Sequence, residues 1–85
     1  MPFMYSLIKV SDLSEFGDAL AENEVDALNQ IRDYRRKHGK ADLPFQLSDD
    51  PTDYVMEKRT AIPSPLGTGW TNDPRGMKQL VYVRV

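Results

Sequence analysis

The segment from Asn23 to Gly39 constrains this chain more than any other. Asn23 stands where a helix cap belongs, Glu24 and Asp26 fill the first turn, and Gly39 supplies a left-handed stop after an unbroken run of helix formers. At 100° per residue, Val25, Ala27, Leu28, Ile31 and Tyr34 share one broad face. Asp26, Asn29, Gln30, Asp33, Arg36 and Lys37 lie opposite, with Asp33 and Lys37 spaced as an i, i+4 ion pair. The apolar period lasts about two heptads, short of the three or four that a coiled coil needs. A helix over about 24–38 must therefore cover a sheet.

The rest of the chain supplies that sheet. Phe3 to Val10 alternates with Phe3, Tyr5 and Leu7 on one face and Met4, Ser6, Ile8 and Val10 on the other, and two mostly apolar faces predict an internal strand. Residues 11–22 read two ways: Leu13, Phe16 and Leu20 have helical spacing behind Ser11, yet Gly17-Asp18 is a turn signal that would return Ala19 to Ala21 as a strand. Phe45 and Leu47 suggest a brief edge strand after Pro44. Tyr54 to Ile62 favours a strand through Tyr54, Val55, Thr60 and Ile62, although Asp50-Pro51 resembles a helix start. In Lys78 to Val85, Val81, Val83 and Val85 take one face and Leu80 and Tyr82 the other. The expected class is α+β: one amphipathic helix on a small, mostly antiparallel sheet of three or four strands, in β-α-β-β order.

Length sets the scale of what such a fold does. Its 85 residues suffice for one domain over 1–85, and an enclosed pocket of several hundred Å³ would hollow out most of its core. No cysteine is present, which removes disulfides, thiolate zinc sites and thiol nucleophiles and suits a reducing compartment. No run approaches the roughly 18 apolar residues of a membrane span, and Met1-Pro2-Phe3-Met4-Tyr5 lacks the pattern of a signal peptide. A cytoplasmic protein without membrane association is expected. The net charge of −2 conceals alternating blocks. Lys9 against six carboxylates leaves 1–31 at −5, and five cations against Asp33 bring 32–40 to +4. Five carboxylates put 41–57 at −5, and five cations against Asp73 return 58–85 to +4.

Two segments are candidate binding surfaces. The stretch from Pro63 to Met77 reads as one long loop; it holds three of the five glycines, three of the six prolines and the only tryptophan. It reads either as a hairpin tip in which Trp70 folds back over the sheet edge or as a loop that presents Trp70 and Arg75, residue types enriched at binding hot spots, to a protein partner. Gly67-Thr68-Gly69 lacks the lysine and hydroxyl of a phosphate loop, and no dinucleotide fingerprint follows it. The second surface is the helix end, where Arg35, Arg36, Lys37 and His38 sit beside Arg32 and Lys40 and suit an acidic protein surface or nucleic-acid phosphates. Asp49, Asp50 and Asp53 miss the calcium-loop spacing and read as a turn, so no metal site is expected. The lone His38 has no serine near it in sequence, and no nucleophile elbow occurs. No catalytic residue and no cofactor are assigned.

Ala21-Glu22-Asn23-Glu24-Val25-Asp26-Ala27-Leu28 resembles the strand-to-helix junction of many small α+β proteins, including accessory proteins of phages and mobile elements. That resemblance implies a small auxiliary protein. The expected function is a non-enzymatic interaction module of inhibitor or adaptor type that binds a protein partner, ahead of nucleic-acid association through the basic helix end. A valine-rich strand left at a sheet edge would also pair two copies as a homodimer.

Overall fold

A computed structural model describes residues 2–85. In chain order its elements are β1 (Phe3–Lys9), β2 (Ser14–Ala21), α1 (Glu24–Lys37), β3 (Gln46–Leu47), β4 (Tyr54–Pro63), β5 (Trp70–Asn72) and β6 (Gln79–Arg84). The α+β class holds, but the sheet has six strands rather than three or four, and two of them precede the helix. The strand order is β2-β1-β4-β6-β3, with β5 also paired to β4, and every pairing is antiparallel. The sheet curls around the single helix, which touches both edge strands.

The helix begins as its cap requires. Asn23 Oδ1 accepts the Asp26 N–H at 2.9 Å, and Gly39, at φ +66°, sends the chain out of the helix with its N–H on the Arg36 carbonyl. The face buried against the sheet centres on Ala27, Leu28 and Ile31. Val25 and Tyr34 lie outside it and are exposed, because the helix is rotated so that Glu24 and Arg35 flank the stripe instead. Asp33 is met by Arg36 at 3.6 Å rather than by Lys37.

Residues 11–22 form a hairpin with β1, and a bulge explains their ambiguous pattern. Leu7 pairs with Gly17 and Ile8 with Glu15, which leaves Phe16 as the extra residue. Gly17 therefore turns its Cα toward the helix, at φ +151°, and a Cβ there would lie 3.0 Å from Ile31 Cγ2. Phe16 packs its ring on Phe45 at 5.6 Å and Tyr54 at 5.8 Å, sealing one end of the core. Tyr5, Leu7, Ile31, Met56 and Val83 are its fully buried large side chains.

β4 is the central strand, with β1 on one side and β6 on the other. The segment 63–77 is not one continuous loop. β4 runs on to Pro63 and folds back as β5, pairing Pro63 with Trp70 and Ala61 with Asn72. Thr60 accepts the Asp73 N–H, whereas Ala61 donates to Pro2 on the β1 side, so β5 and β6 form one return arm across from β1. That arm is interrupted by the bulging segment 73–78, because pairing resumes only at Lys58 with Gln79.

Gly17→Ala tests the helix seat. The added methyl must displace Ile31 and occupy a backbone geometry that alanine resists, so chemical denaturation should report a loss of about 1–3 kcal/mol. Alanine at Gly67, where no atom lies within 4 Å, should cost about 1 kcal/mol or less through backbone strain alone.

Candidate functional site

The basic end of α1 is built by the helix stop. Gly39 and Lys40 bring the chain back under the last turn, where the Lys40 N–H meets the Arg35 carbonyl at 2.9 Å. Arg35 is occupied by this architecture. Its Nε and Nη2 donate to the Ala41 carbonyl at 3.3 and 3.2 Å, its Nη1 donates to the Phe16 carbonyl at 3.3 Å, and its guanidinium lies 5.4 Å from the Phe16 ring centre. Arg36 leans on Asp33. His38 caps the helix and stacks on Tyr34 at 4.2 Å, while Lys40 approaches the same ring at 5.8 Å. Lys37 is exposed and carries no ion pair among the described residues. Between this helix end and the edge of β2 runs an open groove of about 430 Å³, lined by Glu15, Phe16, Gly17, Asp18, Tyr34 and Lys40.

The hairpin end is a different surface. Tyr54 touches the Phe16 ring near Arg35, whereas Trp70 stands opposite Pro63 at the far end of the same strand. At about 3.3 Å per residue the two ends of β4 lie about 30 Å apart. Trp70 and Arg75 are thus not joined to Arg35, Arg36, Lys37 and His38. Trp70 remains 42% exposed, and two neighbours in sequence are more open still: Leu66 at 88% and Met77 at 84%. Arg75 is exposed, its backbone N–H held by Asp73 Oδ1 at 2.9 Å in a tight turn and its side chain free of ion pairs among the described residues. Leu66 and Met77 were not singled out by sequence reasoning. Their signal was an apolar residue isolated among Gly, Pro and Thr, where no periodic face exists to bury it.

A third cluster joins the start of the helix to the sheet. Lys58 points toward the helix from β4, with Nζ 4.1 Å from the Phe3 ring centre and 3.3 Å from Glu24 Oε1. The Tyr5 hydroxyl donates to the other oxygen of Glu24 at 3.3 Å. Burial, then the charge and acceptor of Glu24, push the Tyr5 phenol well above its usual range. Each member is partnered within the fold, and the cluster reads as a tie between helix and sheet.

Among the described residues no group of three or more His, Cys, Asp or Glu side chains is placed to hold a metal. Asp50 instead closes a turn with Ser48, and the Asp53 carboxylate takes the N–H and hydroxyl of Ser11 at 3.0 and 2.8 Å. No helix among those residues is long and apolar enough to cross a membrane. No protein-family model matches the chain, and neither a curated protein nor a solved structure does.

Arg35 and Lys37 should separate on mutation. Arg35→Ala removes three donor contacts and the cover over Phe16, so denaturant titration should show a loss of about 1–2 kcal/mol, against less than about 0.5 kcal/mol for Lys37→Ala.

The Tyr5 shift has an alkaline consequence. The folded state keeps its phenol proton above pH 10.0, the ordinary tyrosine value, where the unfolded chain releases it. Stability from this group is complete below pH 10 and declines above it, and Tyr5→Phe should flatten that decline when unfolding is followed from pH 9 to 11.

Proposed function

We propose that this chain is a non-enzymatic interaction module, of inhibitor or adaptor type, that holds a protein partner with the hairpin end of β4 and β5. The observation that carries this reading is the exposure of Leu66, Trp70 and Met77 in one stretch of 12 residues, with Arg75 among them. Leu66 and Met77 gain almost nothing from the monomer's own core, and Trp70 leaves a large part of its ring uncovered. Flanked by an arginine, they have the composition of an interface centre, where aromatic and arginine anchors contribute most of the affinity.

Nucleic-acid association through the basic helix end is the second reading, and it rests on fewer free cations than the sequence offered. Arg35 spends its donors inside the fold and Arg36 faces Asp33, so Lys37 and Lys40 would carry most of the phosphate contact.

Parallel affinity captures with the wild type and Trp70→Ala, each with and without nuclease, test both. The protein-binding reading expects the same proteins to be retained after nuclease and lost with Trp70→Ala, whose melting temperature should stay within about 2 °C of the wild type. Retention unchanged by Trp70→Ala, or abolished by nuclease, overturns it.

A further inference from the structure

Most arginines of this chain are partnered within it. Arg35 donates to the Phe16 and Ala41 carbonyls, Arg36 meets Asp33, Arg59 approaches Glu57, and Arg84 donates to the Gln46 side chain at 3.1 Å, while Arg75 stands in solvent. Arg32 is different. It is half-buried on α1, its Nε is shut away from solvent without an acceptor, and no carboxylate among the described residues pairs with its guanidinium. A buried lysine or carboxylate can shed its charge, but a guanidinium stays charged at any ordinary pH. Its partial burial therefore carries a cost that no other group among those residues offsets.

Helix geometry places this group. Gln30 reaches the Leu20 carbonyl of β2, and Tyr34 lines the groove along the same strand. Arg32 is two residues from each, a rotation of about 200°, so it lies on the opposite flank of α1, toward β3. Val25, two turns earlier on that flank, is 56% exposed. Leu47 of β3 pairs with Val83 and shares its face of the sheet, the one under the helix, yet remains 42% exposed. The Nη atoms of Arg32 also lack an acceptor but are not sealed. They reach the surface on a flank edged by these two apolar side chains.

We infer that this flank docks a protein partner through a single Asp or Glu carboxylate set among apolar side chains, which the Nη atoms of Arg32 take between Val25 and Leu47. Charge and neighbours select that occupant. A carboxylate offers two oxygens to the two Nη donors, and apolar contact on either side strengthens the pair by excluding water. A nucleic-acid backbone needs several free cations along its path. Here Arg36 is held by Asp33, and the segment 41–57, which contains β3, carries −5. The half-buried stem of Arg32 has already lost rotamer freedom, so less is lost when a partner arrives. This surface does not involve the hairpin end: Leu47 and Val83 lie at the Tyr54 end of β4, and Trp70 lies at the other.

Two measurements test it. Arg32→Met keeps the stem and removes the unpaired charge, so the melting temperature of the isolated chain should hold or rise by a few degrees, the reverse of what a structural arginine shows. In NMR titrations the blocked tripeptide acetyl-Val-Glu-Leu-amide should give saturable shifts at the Arg32 Nε–H and at the Val25 and Leu47 methyls, with a Kd of about 1–10 mM. Its Gln counterpart should bind about tenfold more weakly or worse, and so should the Glu peptide on Arg32→Met. A melting temperature lowered by more than about 2 °C overturns the inference. So do the absence of saturable shifts at Arg32, equal binding of the Gln peptide or of Arg32→Met, and an oligouridylate that shifts Arg32 at lower concentration than the Glu peptide does.

Discussion

Ile31 rests on Gly17 so closely that a methyl group on Gly17 would lie 3.0 Å from Ile31 Cγ2 and force it to shift. Much of the architecture depends on this approach. It exists because the β-bulge at Phe16 turns the following glycine toward the helix, and it draws α1 down close onto β2. Once seated there, Gln30 and Arg35 are within reach of the outward carbonyls of β2. Phe16, displaced by the same bulge, falls against Phe45 and Tyr54 and closes the core beneath the last helical turn. One irregularity in a strand thus places the helix, covers an edge and completes an aromatic cluster.

The alternating charge blocks acquire their meaning from this arrangement. Two stretches of +4 could have merged into one strongly basic face, but the second is dispersed, with Lys58 and Arg59 in the middle of β4 and Arg84 beyond Val83 at its Tyr54 end, and both are partly consumed. Arg35 acts as a clamp, Lys58 lies over Phe3 against Glu24, and Arg59 and Lys78 both approach Glu57, at 3.7 and 3.0 Å. A surface ion pair of this kind adds little to stability, yet each removes a cation from the supply available to a polyanion. Near-neutrality is expressed as local pairing.

β4 carries the remaining logic. It is long enough to serve the main core cluster with its first half and, past the buried Ala61, to run out to an exposed end at Pro63. Tyr54 and Met56 pack under the helix, while Pro63 and the return through Trp70 extend where no helix covers them. Leu66, Trp70 and Met77 are exposed for that reason, and the bulge at 73–78 separates β5 from β6 so that only β6 rejoins the core through Val81 and Val83.

The helix limits, the alternation of β1 and the faces of the terminal strand were legible in the residues, since capping geometry and a two-residue period depend only on neighbours in the chain. The brief strand at Leu47 was legible for the same reason, and the α+β class followed from them. The helix or hairpin choice for residues 11–22 was not, because a bulge breaks the period on which such a reading relies. Nor was the fate of Val25 and Tyr34: the rotation of α1 about its axis is set by where Gly17 allows it to descend, and that contact spans 14 residues of chain. Composition offered Trp70 and Arg75 as a presented pair beside a reading in which Trp70 folds back over the sheet edge, and their distance from Arg35 and Lys37 belongs to the sheet. What the chain determined by itself was its local elements. Which cations are free, which edge is covered and which surfaces stand apart were decided by tertiary contacts, because each depends on groups distant in sequence arriving within hydrogen-bonding or van der Waals reach.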